Sequence, residues 1–415
     1  MAGNFVLAIL TTHPIQYQVP LWQALARNGG IPFEVWYLTD HGVRQSRDRE
    51  FGKTFSWDLD TLSGYSYQFL DVAPGATPAS FWRCRLRESL RERLRNRRVN
   101  VLWIQGWQVA AYWQAVREAK AAGVELWLRG ESNDLSPVAC WKRPLKRLQL
   151  GWLFKRVDRF LYIGSANKRL YQKYGVPESH LYPTPYAVDN ERFARQAASL
   201  RQQRGLLRRQ WGIPEDAYCI LFCGKFIPKK RPMDLVAAAH RLRQTGRIPH
   251  LHLLFVGSGM LGGELRKVSR VVFDADSPIA LATKGNADVQ AGQRPPATFA
   301  GFLNQTDISK AYVAADCLAL PSDSGETWGL VVNEALASGL QCVVSDACGC
   351  AEDLSRATKK VISFRCGDIV HFADQLTRNA ERFDPTSSNE NYDSKFSIEN
   401  TVTTVQSFLG VHRTQ

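Results

Sequence analysis

Short, wholly apolar runs alternate with longer stretches in which apolar positions recur at three- and four-residue spacing. In the first half the runs are residues 5–12, 33–38, 67–70, 99–105, 125–129 and 160–164, with helix-like stretches such as 20–27 and 110–122 between them. Runs that are apolar throughout predict strands buried on both faces, and their alternation with helices predicts βαβ units and a parallel sheet. The pattern breaks over 189–216, which is polar, Arg-rich and poor in strand character. It restarts with 218–226, 251–257, 298–302, 317–321, 341–345 and 361–364. The segment 274–296, rich in Gly, Ala, Asp and Pro, reads as a surface loop or an insertion.

This order predicts an α/β protein of two doubly wound, Rossmann-like domains facing a central cleft. Their expected bounds are 1–188 for the first domain, 189–216 for a linker region and 217–395 for the second domain. A helix over 396–415 is expected to return to the first domain. A length of 415 residues fits two domains. Ligands of such sheets sit beyond the carboxyl ends of the strands.

Composition narrows the class. A hydrophobic fraction of 45% is that of a globular protein, and no apolar run reaches the ~18 residues of a membrane span. The nine cysteines are scattered and do not read as a disulfide framework, so a reducing cytoplasmic setting is expected. The net charge of +14 is uneven. Residues 1–188 hold 26 Lys+Arg against 15 Asp+Glu, and 189–415 hold 27 against 24. A basic first half suits nucleic acid, anionic headgroups or phosphorylated substrates. The aromatic–basic interleaving of a nucleic-acid module is absent, so nucleic acid is not an expected partner.

The segment 317–353 carries the most chemistry. A strand ends at Pro321, a loop follows, and a helix is expected from near Thr327 to Ser338, with Gly339 as its stop. A helix N-terminus suits a phosphate. Glu326 falls at that end and Glu334 eight residues on, roughly 12 Å along a helix axis. One carboxylate could hold sugar hydroxyls and the other ribose hydroxyls; equally, Glu326 could serve only the helix dipole and Glu334 only solvent. Upstream, Gly224-Lys225-Phe226-Ile227-Pro228-Lys229-Lys230-Arg231 follows the second domain's first strand, where Lys225 and Lys230 could reach a diphosphate or be surface lysines.

The spacing Glu326-x7-Glu334 within PSDSGETWGLVVNEALASG resembles the signature of glycosyltransferase family 4, the group 1 glycosyl transferases of the GT-B fold. The stretch GKFIPKKRPMDLVAA resembles that family's basic loop, LHLLFVGSG its next strand and glycine turn, and Gly301-Phe302-Leu303 its base-binding strand end. Tyr186-Ala187-Val188-Asp189 with Arg192-Phe193 is similar to its interdomain segment. The resemblance is continuous through the second domain and covers the first only in element order.

It implies a retaining, metal-independent glycosyltransferase that moves a sugar, a hexose above all, from a nucleoside-diphosphate sugar to a glycan or lipid-linked acceptor in polysaccharide or glycoconjugate synthesis. No cofactor is implied, and the first domain becomes the acceptor side. Glu326 would hold donor-sugar hydroxyls, with backbone N–H groups near Trp328, Gly329 and Leu330. Glu334 would bind the ribose, Phe302 would lie by the base, and Lys225 with Lys230 would neutralise the leaving diphosphate. The same architecture serves sugar-nucleotide epimerases and could serve a non-catalytic sugar-nucleotide binder.

The first domain departs from the family pattern. Its first βα loop is Thr11-Thr12-His13-Pro14-Ile15-Gln16-Tyr17 rather than glycine-rich, and the fifth strand ends in Leu128-Arg129-Gly130-Glu131-Ser132 without a His. His13 is read as a reacting-centre contact, beside Glu326 and Lys230, or as a loop cap. Arg129 and Glu131 are acceptor-side candidates. Trp107 is the best-placed of the local tryptophans to stack on an acceptor sugar, with a core role as the alternative. Asp58-Leu59-Asp60 and Asp274-Ala275-Asp276 match a metal-binding Asp-x-Asp pattern by chance composition, and the cysteine spacing lacks two close pairs, so no metal is expected.

Two basic segments suggest a peripheral place at the inner face of the cell membrane. Residues 83–98 carry eight Arg against two Glu, with Leu86, Leu90 and Leu94 at i+4 spacing; residues 142–156 carry six Lys+Arg, with Leu145, Leu148 and Trp152 on one helical face. Such stripes either dock on an anionic membrane surface or pack on the domain core.

Overall fold

The computed structural model describes residues 6–43, 46–48, 53–55, 57–277, 294–382 and 394–408. Most of the expected 274–296 loop lies outside them. The chain divides into two compact units: residues 1–46, 55–188 and 395–415 form one, and residues 47–54 and 189–394 the other.

The first unit is built on strands β1 (Leu7–Thr11), β2 (Phe33–Tyr37), β5 (Tyr67–Phe69), β6 (Val101–Ile104), β7 (Glu125–Leu128), β8 (Arg159–Tyr162) and β9 (Leu181–Pro183); β3 (Ser46–Asp48) and β4 (Lys53–Phe55) form a separate two-stranded sheet. The seven-stranded sheet runs β5-β2-β1-β6-β7-β8-β9, all parallel, with Leu7 opposite both Phe33 and Val101. Its helices are α1 (Val19–Arg27), α2 (Leu90–Asn96), α3 (Ala110–Ala122), α4 (Arg143–Phe154) and α5 (Ser165–Lys173). Strand side chains alternate between faces. Ala8, Leu10, Leu102 and Ile104 therefore pack with Leu90 and Leu94 of α2, Ala111 and Ala115 of α3, and Leu153 and Phe154 of α4. Leu7, Ile9, Val101 and Trp103 point the other way, to Trp22 of α1 and to Val402 and Val405 of the helix Ile398–Phe408. That last helix is tied to the unit by Phe408 against Tyr182 and Trp127 and by a hydrogen bond from Thr401 to the Pro185 carbonyl.

The second unit repeats the plan. Strands β10 (Tyr218–Cys223), β11 (Leu251–Val256), β12 (Arg270–Asp274), β13 (Pro296–Gly301), β14 (Cys317–Leu320), β15 (Gln341–Ser345) and β16 (Val361–Phe364) form a parallel sheet in the order β12-β13-β11-β10-β14-β15-β16. Helices α6 (Asn190–Leu200), α7 (Arg204–Gln210), α8 (Pro232–Gln244), α9 (Gly262–Val268), α10 (Ile308–Ala314), α11 (Leu330–Ala337), α12 (Ala351–Ala357) and α13 (Ile369–Glu381) connect and cover it. Each unit is thus a doubly wound α/β domain.

Three expectations are corrected. Residues 189–216 are a folded part of the second unit, not a linker. Asp189 caps α6 by accepting from the Arg192 N–H at 2.9 Å. Arg204 and Arg208 donate to opposite oxygens of Asp316 at 2.5 and 2.6 Å, and Arg208 also donates to the Ala314, Pro214, Glu215 and Ala217 carbonyls. Two arginines of this Arg-rich stretch are fasteners, Arg208 buried and Arg204 partly so. Second, α11 opens at Leu330, not near Thr327, because Trp328 turns into the core and Gly329 takes a left-handed φ of 106°. Glu326 therefore precedes the helix. Third, Leu86, Leu90 and Leu94 do not form one stripe on one helix. Leu86 lies before α2, whose cap is Ser89, and all three are buried. Leu145 and Leu148 of α4 are exposed instead, while Leu150, Leu153 and Phe154 face the core.

Candidate functional site

In the second unit the loops after β10, β11, β13 and β14 meet at the carboxyl end of the sheet. Gly257 donates to the Gly301 carbonyl at 2.8 Å, Phe226 to Ser258 at 2.8 Å, and Leu261 to Phe226 at 2.9 Å. This close backbone contact requires glycine. A Cβ on Gly257 would lie 2.0 Å from the Gly224 carbonyl oxygen, and one on Gly259 2.7 Å from that of Phe226. Across from them, Asp323 donates to the Lys229 carbonyl at 2.8 Å. The basic loop and the 322–326 loop are thereby fixed side by side.

This seam brings Lys230 and Glu326 together in a half-buried ion pair. Arg231, the next residue, sits in the left-handed region at φ 50° and pairs with Asp234 at 2.7 Å, which anchors the start of α8. The Glu326 carbonyl accepts from Gly349 at 3.2 Å and that of Trp328 from Cys350 at 3.1 Å. Trp328 is a buried wedge whose indole donates to Asn333 at 2.8 Å. Gly329 has no room for a side chain, since a Cβ there would lie 2.7 Å from Leu320. Trp328, Gly329 and Leu330 thus form a rigid entry to α11. Lys225 follows β10 on the same rim, and Phe302 stands one residue past β13.

Glu334, on the second turn of α11, accepts from the Tyr312 hydroxyl at 2.6 Å. The residue keeps part of its surface open, yet burial pushes its carboxyl up to about 7, against the pull of Tyr312 and of Arg192. Arg192 is itself held by Gln305, through the carbonyl at 3.0 Å and the side chain at 2.7 Å. Tyr312 lies in an apolar helix, where nothing in the sequence marks it as a partner of Glu334.

In the first unit, His13, Trp107, Arg129 and Glu131 follow the carboxyl ends of the adjacent strands β1, β6 and β7. Arg129 and Glu131 share a buried cluster. The Tyr186 hydroxyl donates to Glu131, the Arg129 guanidinium stands 4.9 Å over the Tyr186 ring, and Tyr17 meets that ring edge-on at 5.6 Å. Burial raises the Glu131 carboxyl, opposed by Tyr186 and Arg129. The Arg129 Nε is buried without a hydrogen-bond partner. Tyr186 was legible as part of the interdomain segment, not as the residue joining these two. His13 shares a 2.9 Å hydrogen bond with Thr12 and meets His41 edge-on; burial, then the His41 charge, lowers its pKa to about 4, so it is neutral at pH 7. Trp107 packs among Phe154 and Tyr171 and over Gly130.

The acidic pairs have structural partners. Asp274 and Asp276 both face Arg266, and Asp60 accepts the Leu62 and Ser63 N–H groups in a turn. Among the described residues no group of three His, Cys, Asp or Glu side chains could hold a metal ion, and no helix is long and apolar enough to cross a membrane.

Residues 203–381, which contain the whole Lys230, Glu326, Tyr312 and Glu334 arrangement, match the family described as "Glycosyl transferases group 1". Through that segment, under half of its length, the chain is similar to the group 1 glycosyl transferases. A D-inositol 3-phosphate glycosyltransferase of Nocardioides sp. is 30% identical over 181 residues, 43% of this chain and 38% of that protein. The sulfoquinovosyl transferase SQD2 of Arabidopsis thaliana is 40% identical over 191 residues, 46% of this chain and 31% of that one. The matched stretch therefore spans under two fifths of these curated relatives. Anabaena Alr3699/HepE, solved in complex with UDP and glucose, superposes with a TM-score of 0.62 at 13% identity, covering 98% of this chain and 99% of that one. Its likeness establishes the GT-B fold.

Proposed function

We propose that the chain is a retaining, metal-independent glycosyltransferase that takes a hexose from a nucleoside-diphosphate sugar held by the second unit. It passes the sugar to a glycan or lipid-linked acceptor at an anionic membrane surface, in polysaccharide or glycoconjugate synthesis. The observation that carries this reading is the meeting of Lys230 with Glu326 at the rim formed by the loops after β10 and β14, inside the family segment. The bound UDP of the Anabaena neighbour supports a uridine nucleotide as the first donor to try.

In this reading the diphosphate lies against Lys225 and Lys230, and its developing charge is met by fixed cations and the α11 entry. Glu326 turns to the sugar hydroxyls, Glu334 accepts from the ribose, and Phe302 borders the base. Arg129, Glu131 and His13 serve the acceptor side.

The test is turnover of a panel of nucleotide sugars. Glu326→Ala is expected to lower turnover on the order of 100-fold or more while leaving UDP affinity within about twofold. Equal loss of both overturns the assignment of Glu326. Activity is expected to survive EDTA, and the product is expected to keep the donor's anomeric configuration by NMR. Complete loss in EDTA, or inversion, overturns those parts. Nucleotide binding without transfer to any acceptor would make the chain a binder only.

A further inference from the structure

The outer face of the first unit carries a groove of about 680 Å³ that none of the roles above uses, between α3, α4 and the segment before α2. Its floor is the Trp113 and Trp152 rings, stacked at 5.6 Å with 19° between their planes. Phe81, Trp82 and Leu148 form its walls, with Phe81 edge-on to both Trp82 and Trp113. Trp82 is 78% exposed and Leu148 73%; nearby on the same face Trp141 is 77% and Leu145 58% exposed. Four large apolar side chains held in water beside an apolar groove mark a surface that is covered in use.

The polar groups around it select the occupant. Arg85 and Arg117 stand on the rim, and Lys142, Arg143, Lys146 and Arg147 lie along the helical turn Cys140–Lys142 and the start of α4. No acidic residue occurs between Leu135 and Val157, and among the described residues none of these six cations is paired with a carboxylate. Stacked tryptophans also suit sugars, but sugar hydroxyls need hydrogen-bonding partners. Here the Gln114 amide is committed to the backbone of Leu86, at 2.9 and 3.3 Å, and the Trp113 indole donates to the Trp107 carbonyl at 2.9 Å, which leaves Arg85, Arg117 and Gln149 as the other charged or amide side chains of an otherwise apolar lining.

We infer that this groove takes a hydrocarbon chain of an anionic membrane lipid, with Arg85 and Arg117 under the headgroup and Trp82, Trp141, Leu145 and Leu148 seated in the interface. Amphipathic surfaces bind in this way by burying an apolar face while cations meet anionic headgroups. The inference deepens, and rests on, the membrane-proximal part of the function proposed above; it does not depend on the donor site.

The experiment uses the full chain with phosphatidylcholine vesicles, with and without phosphatidylglycerol, carrying plain or chain-brominated lipids. Binding to the anionic vesicles is expected, with tryptophan fluorescence quenched by the brominated chains. Trp82→Ser with Leu148→Ser should weaken binding on the order of tenfold or more and remove most of the quenching. Arg85→Gln with Arg117→Gln should weaken binding at low salt by a similar factor while leaving the quenching at saturation. UDP affinity, read in the same samples, should not change in either variant, which reports the folding of the second unit, and circular dichroism reports the first. Binding without quenching, binding untouched by the double Ser variant, or none to anionic vesicles at low salt overturns the inference. So does saturable occupation of the groove by a soluble oligosaccharide or an acidic peptide in place of lipid. Loss of UDP binding in the wild type with quenching intact would sink the donor reading and leave the groove standing.

Discussion

Glu334 offers a quantitative check on the donor site. Its carboxyl sits near pH 7 in the folded chain, against 4.5 for an ordinary glutamate, with burial as the main cause. A raised acid binds its proton more tightly in the folded state, so this group favours folding at low pH, and that contribution is lost as pH rises from about 4.5 to about 7. Nucleotide binding should run the other way. Ribose hydroxyls donate, and the ionised carboxylate accepts them far better than the acid, one of whose oxygens carries the proton. Tyr312 already occupies Oε2. With a free value near 7, roughly nine tenths of the sites are ionised at pH 8 and one tenth at pH 6. If binding requires the ionised form, affinity falls about tenfold across that interval, or about 1.4 kcal/mol. UDP is the probe, by calorimetry at pH 6, 7 and 8. Its own terminal phosphate titrates near pH ~6 and adds to the slope, so the quantity to read is wild type minus Glu334→Gln. The variant should bind more weakly at pH 8 and lose the tenfold component. Equal slopes in the two proteins, or tighter wild-type binding at pH 6, would refute the reasoning.

Two stability predictions follow from the same unit. Asp316→Ala strands the buried Arg208 guanidinium and should cost roughly 3–5 kcal/mol, seen as a large fall in Tm, whereas a drop equivalent to under about 1 kcal/mol would mean the pair is dispensable. Gly257→Ala should lower Tm well beyond Gly123→Ala and weaken UDP binding, because both glycines have positive φ but only the Gly257 Cβ meets backbone, while Gly123 opens on free space; equal effects would show that the seam between loops can yield.

How far the sequence was legible depended on where each signal lay. Parallel strands buried on both faces announce themselves as apolar runs, and the central strands fall on their runs, β8 and β13 starting one and two residues early. Two of the four edges do not: β9 is three residues ending in proline, and β12 keeps only Asp274 fully buried. The start of α11 was displaced because a left-handed glycine and a buried tryptophan reset the chain there, which periodicity cannot report. The positions of Lys230 and Glu326 were readable as motif spacing, but their pairing is a tertiary fact. The carboxylate partnerships of Tyr312 and Tyr186 were unreadable for the same reason, since neither the apolar helix around Tyr312 nor the motif holding Tyr186 shows which acid its hydroxyl meets.

The charge pattern shows how one composition covers two physical roles. Arg204 and Arg208, in the nearly balanced half, are spent on Asp316 and on backbone carbonyls, Arg208 fully inside the fold and Arg204 partly so. In the basic half, Lys142, Arg143, Lys146 and Arg147 stand on a helix face whose apolar neighbours are themselves exposed. Burying a cation without a partner is costly, so the fold keeps inside only those arginines it can neutralise. Lys142, Arg143, Lys146 and Arg147 instead lie beside the exposed Trp141, Leu145 and Leu148. An arginine-rich stretch therefore says little by itself. What separates a fastener from a docking face is whether an acid such as Asp316 is placed to meet it, and between Leu135 and Val157 the chain supplies none.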